Sequence, residues 1–243
     1  MQLNMTNVAN TEEYRKRAEY YQNQLFAPEY FVDEEHRIID DDISVLERNY
    51  ARDRFLDDYS GYPYVYHISG SESIVFEKGA EIFSFKTVHF GRNVQAPITH
   101  QDGKKYLIFK KDMYGHSVLD LASKEVFDYF PAESFHEGET FIWCSIHYNP
   151  LNNIMAVEGC YWAAPYSIVL VDFSHPMKEC VQVDTKDFIN PGYAKYGHID
   201  FVEWRGKDLV LQAETNTESE QKELLIISEA EYMEWLAKEK TLA

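Results

Sequence analysis

The chain has 243 residues, of which 45% are hydrophobic and 15% aromatic, enough to build a core and too apolar for a disordered chain. Asp and Glu outnumber Lys and Arg by 41 to 23, and the formal charge of -18 repels nucleic-acid phosphates and anionic membrane surfaces. The partner chemistries left open are a basic protein or peptide, a cation and a small neutral ligand.

Residues 1–10 lack a basic region followed by an apolar core, and no stretch approaches the ~18 apolar residues of a membrane span. The expectation is a cytoplasmic protein without a secretory leader. Cys144, Cys160 and Cys180 lie in or beside apolar runs and are read as reduced, small hydrophobes.

From Thr11 to Leu25 the helix formers of TEEYRKRAEYYQNQL follow a capping Thr and two acids, and Pro28 closes the segment, which predicts an amphipathic helix. Between Asp33 and Asp58, ten acids and four basic residues are punctuated by Ile38, Ile39, Ile43, Val45 and Leu46 in a mixed period. This reads as a short helix or strand on a solvated acidic flank. A Ser-Gly-Tyr-Pro turn at 60–63 marks a boundary, giving a flank over 1–60 and a β-rich repeat domain over 61–243.

Three segments of that domain line up as strand-turn-strand units. The first carries YLIFK, a Tyr-Gly-His turn, SVLDL and VFDYF. The second carries FIWCSIHY, IMAVEG, SIVLVDF and VQV. The third carries HIDFVEW, DLVLQAE and ELLIIS, with a C-terminal helix, EAEYMEWLAKE, in place of a fourth strand. Tyr106, Ile154 and Leu209 then occupy one repeating position, and 64–90 supplies a partial fourth unit. The runs SIVLVDFS and Val118–Leu121, each with an Asp near the strand end, resemble the third strand of WD-type β-propeller blades. This resemblance spans 97 to about 228 and implies architecture alone, since no Gly-His and Trp-Asp pair recurs. The expected fold is mainly β, a small propeller-like repeat of three to four antiparallel sheets with a helix at each end. A β-sandwich is the alternative.

In such a repeat, loops from several units gather on one face. Tyr114, His116, Tyr161, Trp162, Tyr166 and Tyr196, with His198, are the binding residues this places together, because flat rings give large contact area at small entropic cost. The opposing reading makes these rings caps on a β core.

Along IMAVEGCYW a period of two puts Ile154, Ala156, Glu158, Cys160 and Trp162 on one side, so Glu158 sits among apolar neighbours. Such an acid is either a catalytic carboxylate of raised pKa or a paired one, and Lys110 is its expected counter-charge. With Glu158, His147 and His198 complete a candidate acid–base set. Strand alternation sends Cys144 and His147 to opposite faces, so no metal site is read from them, and no nucleotide or cofactor motif is present. Lys110 and Lys111 read as edge decoration. The function expected first is a non-enzymatic interaction or ligand-binding module; the alternative is a hydrolase or lyase on a small polar or glycan-like substrate.

Overall fold

The computed structural model describes residues 4–57, 64–88, 96–136, 138–216 and 221–242. Helix α1 (Glu12–Leu25) opens as expected: the Thr11 side chain accepts the Tyr14 N–H at 3.2 Å, and Glu12 and Glu13 lie in the first turn, where a carboxylate complements the helix dipole.

The acidic stretch, read as a short helix or strand, is made of two strands of a sheet. Strands β1 (Phe31–Ile38) and β2 (Ile43–Asp57) pair antiparallel with one another, and β2 pairs with β3 (Tyr64–Glu77), which pairs with β4 (Ala80–Val88). The β-rich region therefore starts at Phe31, inside the stretch assigned to the flank, and the Ser-Gly-Tyr-Pro turn at 60–63 lies outside the described residues. The period was hard to read because Glu47 continues the buried face of Ile43 and Val45, carrying an ion pair to Arg37 at 2.9 Å inward. β1, by contrast, is exposed along nearly its whole length. The β3–β4 hairpin turns on Lys78 and Gly79, both at positive φ (51° and 83°), the two-residue geometry that matches strand twist.

The remaining strands are β5 (Ala96–Thr99), β6 (Lys105–Phe109), β7 (His116–Asp120), β8 (Val126–Tyr129), β9 (Ile142–Asn149), β10 (Ile154–Cys160), β11 (Ser167–Asp172), β12 (Gln182–Asp184), β13 (Tyr196–Arg205), β14 (Asp208–Thr215) and β15 (Lys222–Ile227). Short helices α2 (Ala132–Phe135) and α3 (Lys186–Ile189) lie between them, and α4 (Glu229–Leu242) follows β15. Among the described residues four antiparallel sheets result, ordered β1-β2-β3-β4, β5-β6-β7-β8, β12-β11-β10-β9 and β13-β14-β15. Each joins strands consecutive in the chain. Tyr106, Ile154 and Leu209 fall on β6, β10 and β14, the second strands of their sheets, and α4 follows the three-stranded sheet.

The chain divides into two compact units, 1–97 with 107–138, and 98–106 with 139–243. In the first, Ile43, Val45, Val75 and Phe85 pack on Leu107, Phe109, Leu119 and Leu121, while Leu25 of α1 closes a second cluster of Phe55, Ile68 and Val88. In the second, Ile154, Ala156, Ile168 and Leu170 meet Ile199, Leu209, Leu211 and Ala213, sealed by Tyr232, Trp235 and Leu236 of α4. No helix among the described residues is long and apolar enough to cross a membrane.

Candidate functional site

The sequence-derived residues fall in both units. Glu158 lies on β10 opposite Ser145 of β9 and Ile168 of β11, and His147 lies opposite Ala156, so both project from the same face. Their tips meet: His147 Nε2 is 2.8 Å from Glu158 Oε2. The other carboxyl oxygen, Oε1, accepts the Phe201 backbone N–H at 2.8 Å. The His147 ring stacks on Phe201 at 3.9 Å with the planes 10° apart, and Trp204 Nε1 donates to the His147 carbonyl at 2.9 Å.

Glu158 is thus paired with His147 rather than with Lys110, which belongs to the first unit and acts there on Asp112. The His147 hydrogen bond holds the Glu158 carboxyl below the usual carboxylate range; burial pulls the other way, and the Phe201 N–H and the charge on His198 assist His147. A carboxylate held ionised with both oxygens engaged orients an imidazole; it does not donate a proton. His198 makes a similar contact, its Nε2 lying 2.7 Å from Asp200 Oδ1, and its ring is 5.8 Å from that of Tyr166.

A bulge interrupts the β9–β10 register, so that Glu158 faces Ser145 while Gly159 faces Trp143, leaving Cys144 as the extra residue. Strict alternation therefore fails at Cys144, and its sulfur accepts from the Tyr166 hydroxyl at 3.7 Å. That contact, with the nearby Cys160 and Glu158, pushes the Tyr166 pKa up to about 12. Gly159 is required beside the bulge, since a Cβ there would lie 2.0 Å from the Ile142 carbonyl oxygen. Among the described residues, no group of three His, Cys, Asp or Glu side chains is arranged to hold a metal ion.

The loop from β10 to β11 carries three of the expected binding rings. Trp162 is 53% exposed and Tyr166 42% exposed. Tyr161 is half-buried against Phe141, with the Lys186 ammonium 4.0 Å over its ring; burial and then Asp184 raise its hydroxyl pKa. Tyr196 corrects the expectation: it is 2% exposed, its ring belongs to the core, and its hydroxyl donates to Glu223 at 3.0 Å. It starts β13, where the Asn190 side chain brackets its backbone, so the ring turns inward.

Tyr114 and His116 sit in the first unit, in a cleft of about 20 Å³ that also has Tyr14, Lys111, Asp112 and Asp128 on its wall. His116 is 2% exposed rather than displayed, and burial lowers its pKa to about 4. Asp112 is the acid that sequence reasoning missed. Its carboxyl is pushed up to about 6, burial outweighing the nearby Arg17, the Met113 N–H and the Tyr14 hydroxyl. Lys111 is no edge decoration: it pairs with Asp128 at 2.7 Å, and Ser117 Oγ donates to the other Asp128 oxygen at 2.6 Å. An acid inside the apolar run VFDYF, and another two residues before the Tyr-Gly-His turn, are the signals that point to this cleft.

A protein of Acanthamoeba polyphaga mimivirus described as uncharacterised is 42% identical over 40 residues, which is 16% of this chain and 16% of that protein. The match thus spans about a sixth of the relative's length. No family model matches the chain. No solved structure matches it either.

Proposed function

We propose that the chain is a non-enzymatic interaction module whose β10–β11 loop takes up a basic protein or peptide through Trp162 and Tyr166. The observation that carries this reading is the exposure of both rings on one short loop, anchored at each end by paired strands. Large rings held at fixed positions beside water contribute contact area with little entropy left to lose. Asp200, close to His198, and the ionised Glu158 supply negative charge nearby, and the net charge of -18 draws a basic partner toward the whole molecule. The proposed setting is cytoplasmic, where the free thiols of Cys144, Cys160 and Cys180 stay reduced. The meander sheets, with their repeated second-strand position, support a blade-like reading of each unit of the repeat.

Fluorescence anisotropy with Lys/Arg-rich peptides and acidic controls tests the proposal. The expected result is salt-sensitive binding of the basic set, weakened tenfold or more by Trp162→Ala while the thermal midpoint stays unchanged. A variant that melts normally and binds like the wild type would overturn it.

One observation favours a second reading. A carboxylate 2.8 Å from an imidazole is the arrangement that orients a general base, so a hydrolase or lyase would use His147 as base and Glu158 as its positioning partner, on a small polar or glycan-like substrate.

A further inference from the structure

The water-sized cleft of the first unit has two carboxylates, Asp112 and Asp128, and the Lys111 ammonium on its wall. We propose that it binds a primary ammonium, the tip of a lysine side chain or of a free amine, against the Asp112 carboxylate. An ammonium has about the size of a water molecule, and a cleft of about 20 Å³ holds about one.

The polar wall is asymmetric in how well its acids are served. Asp128 has a charge-assisted hydrogen bond from Lys111 at 2.7 Å and a hydroxyl from Ser117 at 2.6 Å. Asp112 receives the Met113 N–H at 2.7 Å and the Tyr14 hydroxyl, both neutral donors. Its nearest guanidinium, Arg17, stands 3.8 Å away, outside hydrogen-bonding reach. Arg17 is held there by other contacts, since its Nη1 donates to the Phe135 carbonyl at 3.4 Å and its cation lies 4.4 Å from the Phe135 ring centre. Asp112, whose side chain is 27% exposed, thus has an ion pair but, among the described residues, no charged hydrogen-bond donor, and an ammonium entering the cleft would supply one.

The groups facing Asp112 determine how pH acts on this site. From α1 come Tyr14 and Arg17, from the segment before β7 come Lys110 and Lys111, and from β7 and β8 come His116 and Asp128. Burial raises the Tyr14 pKa, so its hydroxyl stays protonated. His116 charges only near pH 4, and Asp128 is ion-paired. Asp112, at about 6, is therefore the group that titrates, so ammonium binding strengthens as pH rises through 6 and then levels off.

The test is an NMR titration of the full chain with methylammonium chloride, following the Asp112 carboxyl carbon from pH 4.5 to 8. Tetramethylammonium chloride at equal ionic strength is the control, a cation without N–H donors. The expected result is a fall of the Asp112 pKa by a unit or more in methylammonium alone, with Met113 amide shifts that vanish in Asp112→Asn. A second arm compares a short lysine peptide with its Nε-acetylated form: binding of the free-lysine peptide alone assigns the source to a protein side chain, and response to methylammonium without peptide binding assigns it to a free amine. Identical titrations in the two salts, with neither peptide shifting the Met113 amide, would overturn the proposal and leave a cleft that holds water. Asp112→Asn keeps the shape and removes a partly buried charge, so it is expected to fold, and its circular dichroism melt checks this.

Discussion

At the scale of single residues, the cleft joins two groups that burial displaces in opposite directions. Asp112 rises from 3.8 to about 6, so its neutral form suits the fold; its contribution to stability is full below 3.8 and is lost as pH rises through 6. His116 falls from 6.5 to about 4, so its neutral form is again preferred; its contribution is full above 6.5 and is lost as pH falls through 4. Between about pH 4 and 6 the two slopes oppose, since folding then takes a proton onto Asp112 and releases one from His116. Urea unfolding across this window should show little net slope from the pair in the wild type. Asp112→Asn should be more stable at pH 7 by about 1–3 kcal/mol and should lose stability on acidification from 6.5 to 4. If its stability stays flat over that range, burial of His116 has been misread.

At the scale of elements, Trp162 and Trp235 of the second unit have opposite fates. Trp162, on a loop with Ala163 at φ 57°, stands out in water, while Trp235 of α4 is 6% exposed and stacks on Phe188 at 4.5 Å with the planes 10° apart. Trp235→Ala removes a ring from the cluster that α4 seals, and a loss of about 3–5 kcal/mol is expected in chemical denaturation. A loss under about 1 kcal/mol would mean that α4 is not part of the cooperative core. The later sheets were legible because their strands are short apolar runs, several buried on both faces, and their turns carry Gly, Asn and Pro; β6 to β15 fall where the runs of Val, Ile and Phe stand. β1 and β2 were legible only as a helix or a strand, because one is exposed along nearly its whole length and the other puts Glu47 where an apolar residue is expected. The Cys144 bulge was equally hidden, since an extra residue in a ladder shows only when the partner strand is known.

At the scale of the whole molecule, an excess of acids gives a sequence pI of about 4.8, and the solubility minimum is expected near that pH, with turbidity falling on either side and with added salt weakening any attraction to basic peptides. Turbidity that rises steadily below pH 4 would point instead to unfolding as His116 is forced to charge. The chain itself determined the charge, the mainly β class, the terminal helices and the second-strand repeat of Tyr106, Ile154 and Leu209, because periodicity and turn chemistry are local properties. It also placed Glu158 on the face it occupies. Only the tertiary structure decided that His147 and the Phe201 N–H meet that carboxyl, that Tyr196 and His116 turn inward, and that the Asp112 pKa is raised. Alternation selects the side of a sheet, but what lies across from it is set by strands distant in the chain, and the protonation of a buried group depends on those neighbours.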